Sequence, residues 1–324
     1  MHRSVVIFLS VFVLLSCRKN NSGNIPTTEP QQFKYSITPS QTNPNINSYN
    51  SPHTVYLDTR QPAKNKLFVF LPGTSGFPDV YTRIVEKAAS MGYHAIGLAY
   101  PNGSEIYVAS GANPDNTSFG RCRQEIFDGS DQSLAISVNP DNCIQGRLTK
   151  LLELLSTQHP EQNWGQFLNV GNINWSKCVV AGHSQGGGHA WFISKKVSVA
   201  RAISFASIDW NTWLGRSADW IAEPGSTPSS KLFSINSPKD QIFDYGNVQT
   251  QWNDLQLPGS ATSIDSVASP YGQSHRLYTR AIPAISLLVP DHNLTCLDPY
   301  IPLTPDGKID PKMEAAWSYL FDVN

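Results

Sequence analysis

The chain has 324 residues, of which 40% are hydrophobic and 15% are charged, and its formal net charge is −1. This length suits one large folded domain. A near-neutral chain with few basic clusters has no electrostatic footprint for nucleic acid, so we expect no nucleic-acid partner. The sequence also contains no dinucleotide fingerprint, no phosphate loop and no cluster at metal-ligand spacing, so we expect neither a cofactor nor a metal.

The N-terminus is typical of an exported protein. His2 and Arg3 precede an apolar run at residues 5–15, which is too short to span a bilayer but fits the core of a secretory signal. The run ends in LLSC at residues 14–17, which is similar to the bacterial lipobox. We expect residues 1–17 to be a lipoprotein signal peptide and Cys17 to be lipidated; an ordinary signal peptide is the alternative.

The segment after Cys17 is polar and rich in Asn, Pro and Thr, so we expect residues 18–50 to be a flexible tether. The predicted product is a bacterial cell-envelope lipoprotein, periplasmic or surface-facing, that meets the membrane only through its N-terminal lipid. Four cysteines remain in this oxidising compartment, which allows three pairings. Cys122 and Cys143 flank one polar insertion and are the favoured disulfide pair.

Strand and helix patterns alternate through residues 51–324, the predicted catalytic domain. Short apolar runs predict strands at residues 67–71, 94–98, 202–206, 232–236 and 285–289, with one more just before Ser184. Helical patterns occur at residues 80–89, 143–156, 189–196 and 311–321. This alternation predicts an α/β fold with a mostly parallel central sheet and helices on both faces. Active sites in such sheets lie beyond the carboxyl ends of the strands.

The first of these strands runs into the sequence PGTSG at residues 72–76. Its two glycines let the backbone approach a ligand closely, as an oxyanion hole requires. We expect the backbone N–H of Thr74 to be one oxyanion donor, with Ser75 as the alternative. The second donor is expected from Gln185. A plain Gly/Pro turn is the competing interpretation.

A later strand runs into Gly-His-Ser-Gln-Gly at residues 182–186, followed by a segment able to form a helix. Glycines on both sides of Ser184 suit a sharp strand-to-helix turn that exposes the hydroxyl to a base. Ser184 is therefore the candidate nucleophile. The alternative is a flexible glycine-rich loop.

A serine nucleophile needs a base and an acid that orients the base. His292 follows the last predicted strand, whereas His275 precedes it and would start at the wrong end. We therefore expect His292 to be the base. Asp240 follows the strand at residues 232–236 and is the expected acid; Asp209, after the preceding strand, is the alternative.

Two insertions, at residues 103–142 and 207–230, lie near the expected site. The second carries three tryptophans and is a candidate cap, although surface packing would explain it equally. Aromatic side chains of this chain could line a pocket for an organic substrate. The candidate pocket residues are Ser75, Tyr100, Trp210 and Trp213.

From about residue 56 to the C-terminus, the chain resembles the α/β-hydrolase superfamily. The resemblance lies in PGTSG at residues 72–76, GHSQGG at 182–187, SPKD ending at Asp240 and DHN around His292. RQEIFDG at residues 123–129 and SHRLYT at 274–279 are further similar to an esterase-like group of secreted or lipid-anchored hydrolases. This resemblance implies Ser184, Asp240 and His292 as a catalytic triad. The HGGG run of many lipases and esterases is absent.

The sequence thus predicts a serine hydrolase that acts on a small-molecule acyl substrate, with a carboxylic ester as the expected bond. A serine peptidase or amide hydrolase on the same fold is the alternative, and a non-catalytic envelope binding protein is a third possibility. Oligomeric state and acyl-chain preference are left open by the sequence.

Overall fold

The computed structural model describes residues 29–323. The predicted signal peptide at residues 1–17, with Cys17, and the first part of the predicted tether lie outside this range. Among the described residues, no helix combines the length and the apolar character needed to cross a bilayer.

The described chain is built on one nine-stranded sheet. Its strands are β1 (Gln32–Ile37), β2 (His53–Asp58), β3 (Leu67–Leu71), β4 (His94–Gly97), β5 (Cys178–His183), β6 (Arg201–Phe205), β7 (Leu232–Asn236), β8 (Thr262–Ser263) and β9 (Arg276–Tyr278). They lie in the order β1-β2-β4-β3-β5-β6-β7-β9-β8. Strand β2 is antiparallel to both neighbours, and every pair from β4 onward is parallel. The predicted mostly parallel sheet is confirmed.

Helices cover both faces of this sheet. They are α1 (Pro39–Thr42), α2 (Thr82–Ser90), α3 (Ile106–Gly111), α4 (Ser118–Asp128), α5 (Ile144–Gln158), α6 (Gln185–Lys196), α7 (Asp219–Ala222), α8 (Tyr245–Asp254), α9 (Pro290–Asn293) and α10 (Pro311–Phe321). Apolar side chains of α4, α5, α6 and α8 share one core, while those of α2 and α10 share the other. Each face of the sheet therefore has its own hydrophobic core, as expected for buried parallel strands.

The central strands align their carboxyl ends at one edge of the sheet. Strands β3 and β5 are buried along their whole length, and Leu71 pairs with Gly182 across them. His183 in turn pairs with Phe205 at the end of β6. The loops after these strands therefore emerge side by side, and they carry the PGTSG and GHSQG sequences.

One predicted strand and one predicted segment boundary are wrong. Residues 285–289 form a loop and not a strand, and the side chains of Leu287 and Leu288 in it are largely exposed. Residues 32–37 form the edge strand β1, and Ile46 is buried, so the predicted tether cannot extend to residue 50. An apolar run is thus exposed, while part of a polar segment is folded into the sheet.

The predicted Cys122–Cys143 disulfide is also wrong. All four cysteines of the described chain are free thiols. The Cys143 thiol caps α5, where it accepts a hydrogen bond from the Gly146 N–H at 3.2 Å. The Cys122 thiol lies in the core, 3.2 Å from the Ser133 hydroxyl. Each thiol therefore has a local partner.

Candidate active site

Ser184 stands at the sharp turn between β5 and α6. Its φ of 51° and ψ of −119° lie in a region that residues with a side chain rarely adopt. The flanking glycines make this turn possible: a Cβ on Gly182 would lie 2.3 Å from the Gly186 oxygen, and one on Gly186 would lie 2.0 Å from the Leu71 oxygen. No larger residue fits at either position, so the motif has the geometry of a nucleophile elbow.

Asp240 and His292 form a buried hydrogen-bonded pair. The Nδ1 atom of His292 lies 2.8 Å from Oδ2 of Asp240. The other carboxylate oxygen, Oδ1, accepts hydrogen bonds from the backbone N–H groups of Ile242 and Phe243, at 2.7 and 3.1 Å. Since a carboxylate can only accept, Nδ1 carries the ring proton and Nε2 is left as an acceptor. This is the tautomer that a general base requires.

Ser184 and His292 line one cavity of about 440 Å³. Among the described groups, neither the Ser184 hydroxyl nor Nε2 of His292 has a hydrogen-bond partner, and the two are not bonded to each other. Such contacts are commonly long in a resting enzyme and shorten when substrate binds. The fold therefore brings three predicted residues, including Asp240 behind His292, to one place.

Two backbone N–H groups near Ser184 donate no hydrogen bond to any described residue. In the loop after β3, Gly73 donates to the Tyr81 hydroxyl, Ser75 donates to the Asn102 oxygen at 3.0 Å and Gly76 donates to the Gly73 oxygen. Thr74 N–H is the one backbone donor of residues 73–76 for which the described part of the chain supplies no acceptor. Gln185 N–H, at the first position of α6, also has no partner within the described chain. Ser75 is excluded as the alternative donor because its N–H is already used.

The side chain of Gln185 ties this region together. Its Oε1 accepts hydrogen bonds from the Thr74 hydroxyl at 3.0 Å and from the Ile106 N–H at 3.2 Å. The two candidate oxyanion donors are thus fixed relative to each other and to the start of α3.

Asn102 holds the loop at residues 73–76 and was not predicted from the sequence. Its Nδ2 donates to the Gly73 and Gly76 oxygens, at 2.6 and 2.9 Å. Tyr100 supports the same loop by donating to the Pro72 oxygen at 2.7 Å. The prediction that Tyr100 lines the pocket is wrong, because its ring is fully buried in the core. The only sequence signal for Asn102 was its place in the loop that follows the predicted strand at residues 94–98.

His183, the neighbour of Ser184, links three loops of the site. Nε2 of His183 faces a backbone carbonyl oxygen, which can only accept, so Nδ1 of the neutral ring is an acceptor and receives the Tyr81 proton at 2.9 Å. The Tyr81 oxygen in turn accepts from Gly73 N–H. Nε2 of His183 then donates to the backbone oxygen of His292 at 3.1 Å. Burial, and secondly the nearby His292, lowers the pKa of His183 to about 3. A neutral His183 therefore ties two loops to the turn at Ser184: residues 72–76, and the loop that carries the candidate base His292, called the base loop below.

Gln241 holds the base loop from its other side. Its Oε1 accepts hydrogen bonds from the backbone N–H groups of Asp291 and His292, at 3.1 and 3.3 Å. No local motif marked this residue in the sequence.

The alternative acid, Asp209, has other partners. Its buried carboxylate forms a bidentate ion pair with Arg123 and accepts a hydrogen bond from the Trp220 indole at 3.0 Å. Arg123 also donates to the Gln185 oxygen at 3.0 Å. A Cβ on Gly188 would lie 2.0 Å from this guanidinium, so the third glycine after Gln185 makes room for it. Asp209 supports the start of α6, and its carboxylate is hydrogen-bonded to Arg123 and Trp220 and not to His292.

His275, the other late histidine, lies at the opposite edge of the sheet. It directly precedes β9, its Nδ1 is 2.8 Å from the Leu232 oxygen, and its ring stacks on Phe233 with a centroid distance of 3.7 Å. His275 therefore cannot serve Ser184.

The predicted pocket residues meet different outcomes. Ser75 lines the cavity, whereas Trp210 and Trp213 do not. Trp213 is exposed at the end of a small hairpin, and no residue of the 207–230 insertion lines the cavity, so of the two interpretations of this insertion surface packing fits and the cap does not. The 103–142 insertion does contribute, through Glu105 and Tyr107.

A larger cavity of about 700 Å³ lies beside β8 and α10 and contains none of the candidate catalytic residues. Within residues 29–323, no group of three or more His, Cys, Asp and Glu side chains is arranged to hold a metal ion.

Three features define the α/β-hydrolase fold of this chain. They are the strand order, strand β2 running antiparallel to its neighbours while all other neighbouring strands are parallel, and the sharp turn at Ser184 after β5. Solved structures with similarity to this chain include an α/β hydrolase from a Medee basin deep-sea metagenome library, with 12% identity, coverage of 78% of this chain and 83% of the other, and a TM-score of 0.38. A putative dienelactone hydrolase from Klebsiella pneumoniae has 12% identity, coverage of 77% and 86%, and a TM-score of 0.39. A dienelactone hydrolase-like promiscuous phosphotriesterase from metagenomic libraries has 11% identity, coverage of 89% and 94%, and a TM-score of 0.43. No family model and no curated protein matches the chain.

Proposed function

We propose that this protein is a serine hydrolase that cleaves carboxylic esters through an acyl-enzyme intermediate. The observation that carries the proposal is the buried Asp240–His292 pair, whose ring lines the same cavity as the strained Ser184. Strain at a residue with an exposed hydroxyl is common at catalytic nucleophiles, where the surrounding structure maintains it.

The proposed reaction uses the groups of this site in order. His292 Nε2 takes the Ser184 proton as the hydroxyl oxygen attacks the ester carbonyl. The resulting oxyanion accepts hydrogen bonds from Thr74 and Gln185 N–H. The C–O bond to the alcohol then breaks, and His292 returns the proton to the departing alcohol. A water molecule, deprotonated by His292, attacks the acyl-enzyme and releases the acid, and the proton returns to Ser184.

A fluorophosphonate probe followed by mass spectrometry tests the nucleophile. We expect labelling at Ser184, and loss of both labelling and ester hydrolysis in Ser184→Ala. Ser176→Ala is a matched control, because this exposed serine precedes β5 at the opposite end of the strand. Labelling at a different serine would overturn the assignment.

A panel of aryl esters and matched anilides separates the ester and amide alternatives. We expect Ser184-dependent turnover of esters to exceed that of anilides with the same acyl group. Comparable turnover of both would favour the amide hydrolase. A Ser184→Ala variant that keeps the biological effect of the protein would favour the non-catalytic binder.

We further propose that the enzyme is displayed in the bacterial cell envelope through a lipid on Cys17. The support is the LLSC sequence after a short apolar run. The experiment is membrane fractionation of Cys17→Ser, which should move to the soluble fraction; an unchanged membrane fraction would exclude the anchor.

A further inference from the structure

The wall of the active-site cavity is mostly apolar. Side chains from several loops form it, among them Phe77, Val80, Tyr107, Phe243, Val289 and Leu297. Among residues 29–323, no lysine or arginine lines the cavity, and Glu105 is the only carboxylate that does. A substrate carboxylate would therefore find no cationic partner there and would meet a like charge instead.

The mouth of the cavity is also apolar. Phe77, Ile242 and Leu288 line the cavity and are at the same time 52%, 44% and 90% exposed. They come from three different loops, after β3, after β7 and before α9. Clustered exposed apolar side chains are uncommon on a soluble surface and mark binding sites.

Leu288 is the most informative member of this mouth. Its φ of 52° is strained for a leucine, and its side chain makes no contribution to either hydrophobic core. Stability would favour glycine or asparagine at such a position. A strained, exposed leucine next to the base loop is therefore better explained by contact with a ligand than by packing.

We infer that the substrate of this site is an uncharged ester with an apolar acyl chain, that the mouth residues contact the distal part of that chain, and that Glu105 disfavours acyl groups ending in a carboxylate. This inference rests on the proposed function and specifies its substrate class.

Two matched substrates test the charge part of the inference. An aryl butanoate and the corresponding aryl hemisuccinate both carry four-carbon acyl groups, but only the hemisuccinate ends in a carboxylate. We expect kcat/KM to favour the butanoate by about tenfold or more, since a like-charge contact near the protein surface is of this order. Glu105→Gln should reduce this ratio several-fold. Glu161→Gln changes an exposed glutamate outside the cavity and should leave the ratio unchanged.

A series of neutral aryl esters from acetate to octanoate tests the apolar mouth. We expect kcat/KM to rise with chain length, and Leu288→Ser to reduce the octanoate-to-acetate ratio several-fold. Leu134→Ser is the control, because Leu134 is fully exposed and does not line the cavity.

The possible failures are distinguishable. Absence of Ser184-dependent hydrolysis of every ester would overturn the proposed function and this inference together. Ser184-dependent hydrolysis with equal kcat/KM for butanoate and hemisuccinate, or with no dependence on chain length, would overturn the inference alone.

Discussion

Substitution of the two candidate acids should separate catalysis from stability. Asp240→Asn places a neutral amide against His292 Nδ1, where the charged acceptor now fixes the ring tautomer. In serine proteases the corresponding change lowers kcat about 10⁴-fold, and we expect a loss of that order here. The free energy of unfolding should fall by only about 1–2 kcal/mol, the cost of weakening one buried hydrogen bond.

Asp209→Asn should do the reverse. Arg123 and Asp209 are each about 2% exposed, so the substitution leaves a buried guanidinium without its counter-charge. Removing one partner of a buried ion pair costs about 3–5 kcal/mol of unfolding free energy. Because Arg123 also holds the Gln185 oxygen, kcat should fall, but far less than in Asp240→Asn. Replacing both partners, as in Arg123→Met with Asp209→Leu, should recover much of the lost stability.

The measurements are urea unfolding followed by circular dichroism, and kcat for an aryl ester at a urea concentration where each variant is fully folded. The reasoning predicts a crossed pattern: a catalytic loss for Asp240→Asn and a stability loss for Asp209→Asn. A folded Asp209→Asn without activity, beside an active Asp240→Asn, would refute the assignment of Asp240 as the acid.

Four further predictions follow from the hydrogen bonds and thiols of the site and core. His183→Phe removes the link between Tyr81 and the His292 oxygen, so steady-state kinetics should show a lower kcat with little change in KM; a purely structural role would lower stability alone. Asn102→Ala frees the Gly73 and Gly76 oxygens and should lower kcat by loosening Thr74, a loss that Asn102→Asp should not rescue because Nδ2 is the donor. The pKa values of His53 and His183 are both lowered to about 3, chiefly by burial, so below about pH 6.5 the unfolded chain binds protons that the folded chain does not. The unfolding free energy should therefore be greatest above pH 6.5 and fall towards pH 3 by about 1.4 kcal/mol per unit for each of these histidines, measured by urea unfolding at several pH values. Thiol titration in denaturant without reductant should count four free thiols besides Cys17, and two fewer would restore the disulfide.

Elements marked by a continuous apolar run or a regular helical pattern were predictable from the sequence, whereas strands of mixed composition were not; β2, with the sequence HTVYLD, is buried along its whole length and was still missed. Strands β3 and β7 and helix α10 have the predicted bounds, because a continuous apolar run or a regular helical pattern marks each. Strand β1 was missed because only one face of it contacts the protein, so its sequence, QFKYSI, is half polar. The run ISLLV at residues 285–289 has strand composition but borders the cavity mouth. Composition shows that a segment is apolar, but it does not show whether the rest of the protein or a ligand covers that segment.

The residues of the candidate site divide in the same way. Ser184 and Asp240 each follow a strand that the sequence marks, so sequence alone could nominate them. His292 was nominated from a predicted strand at residues 285–289 that is a loop in the structure, so the reason given for it was wrong although its ring does lie against Asp240. The residues that hold them depend on contacts between distant parts of the chain: Thr74 with Gln185 is separated by 111 residues, and His183 with the His292 oxygen by 109. The failed disulfide has the same cause, since two cysteines that flank a segment need not face each other once local partners are present. A single sequence can therefore nominate reacting groups, but the positioning groups depend on the register of the sheet that brings the loops together.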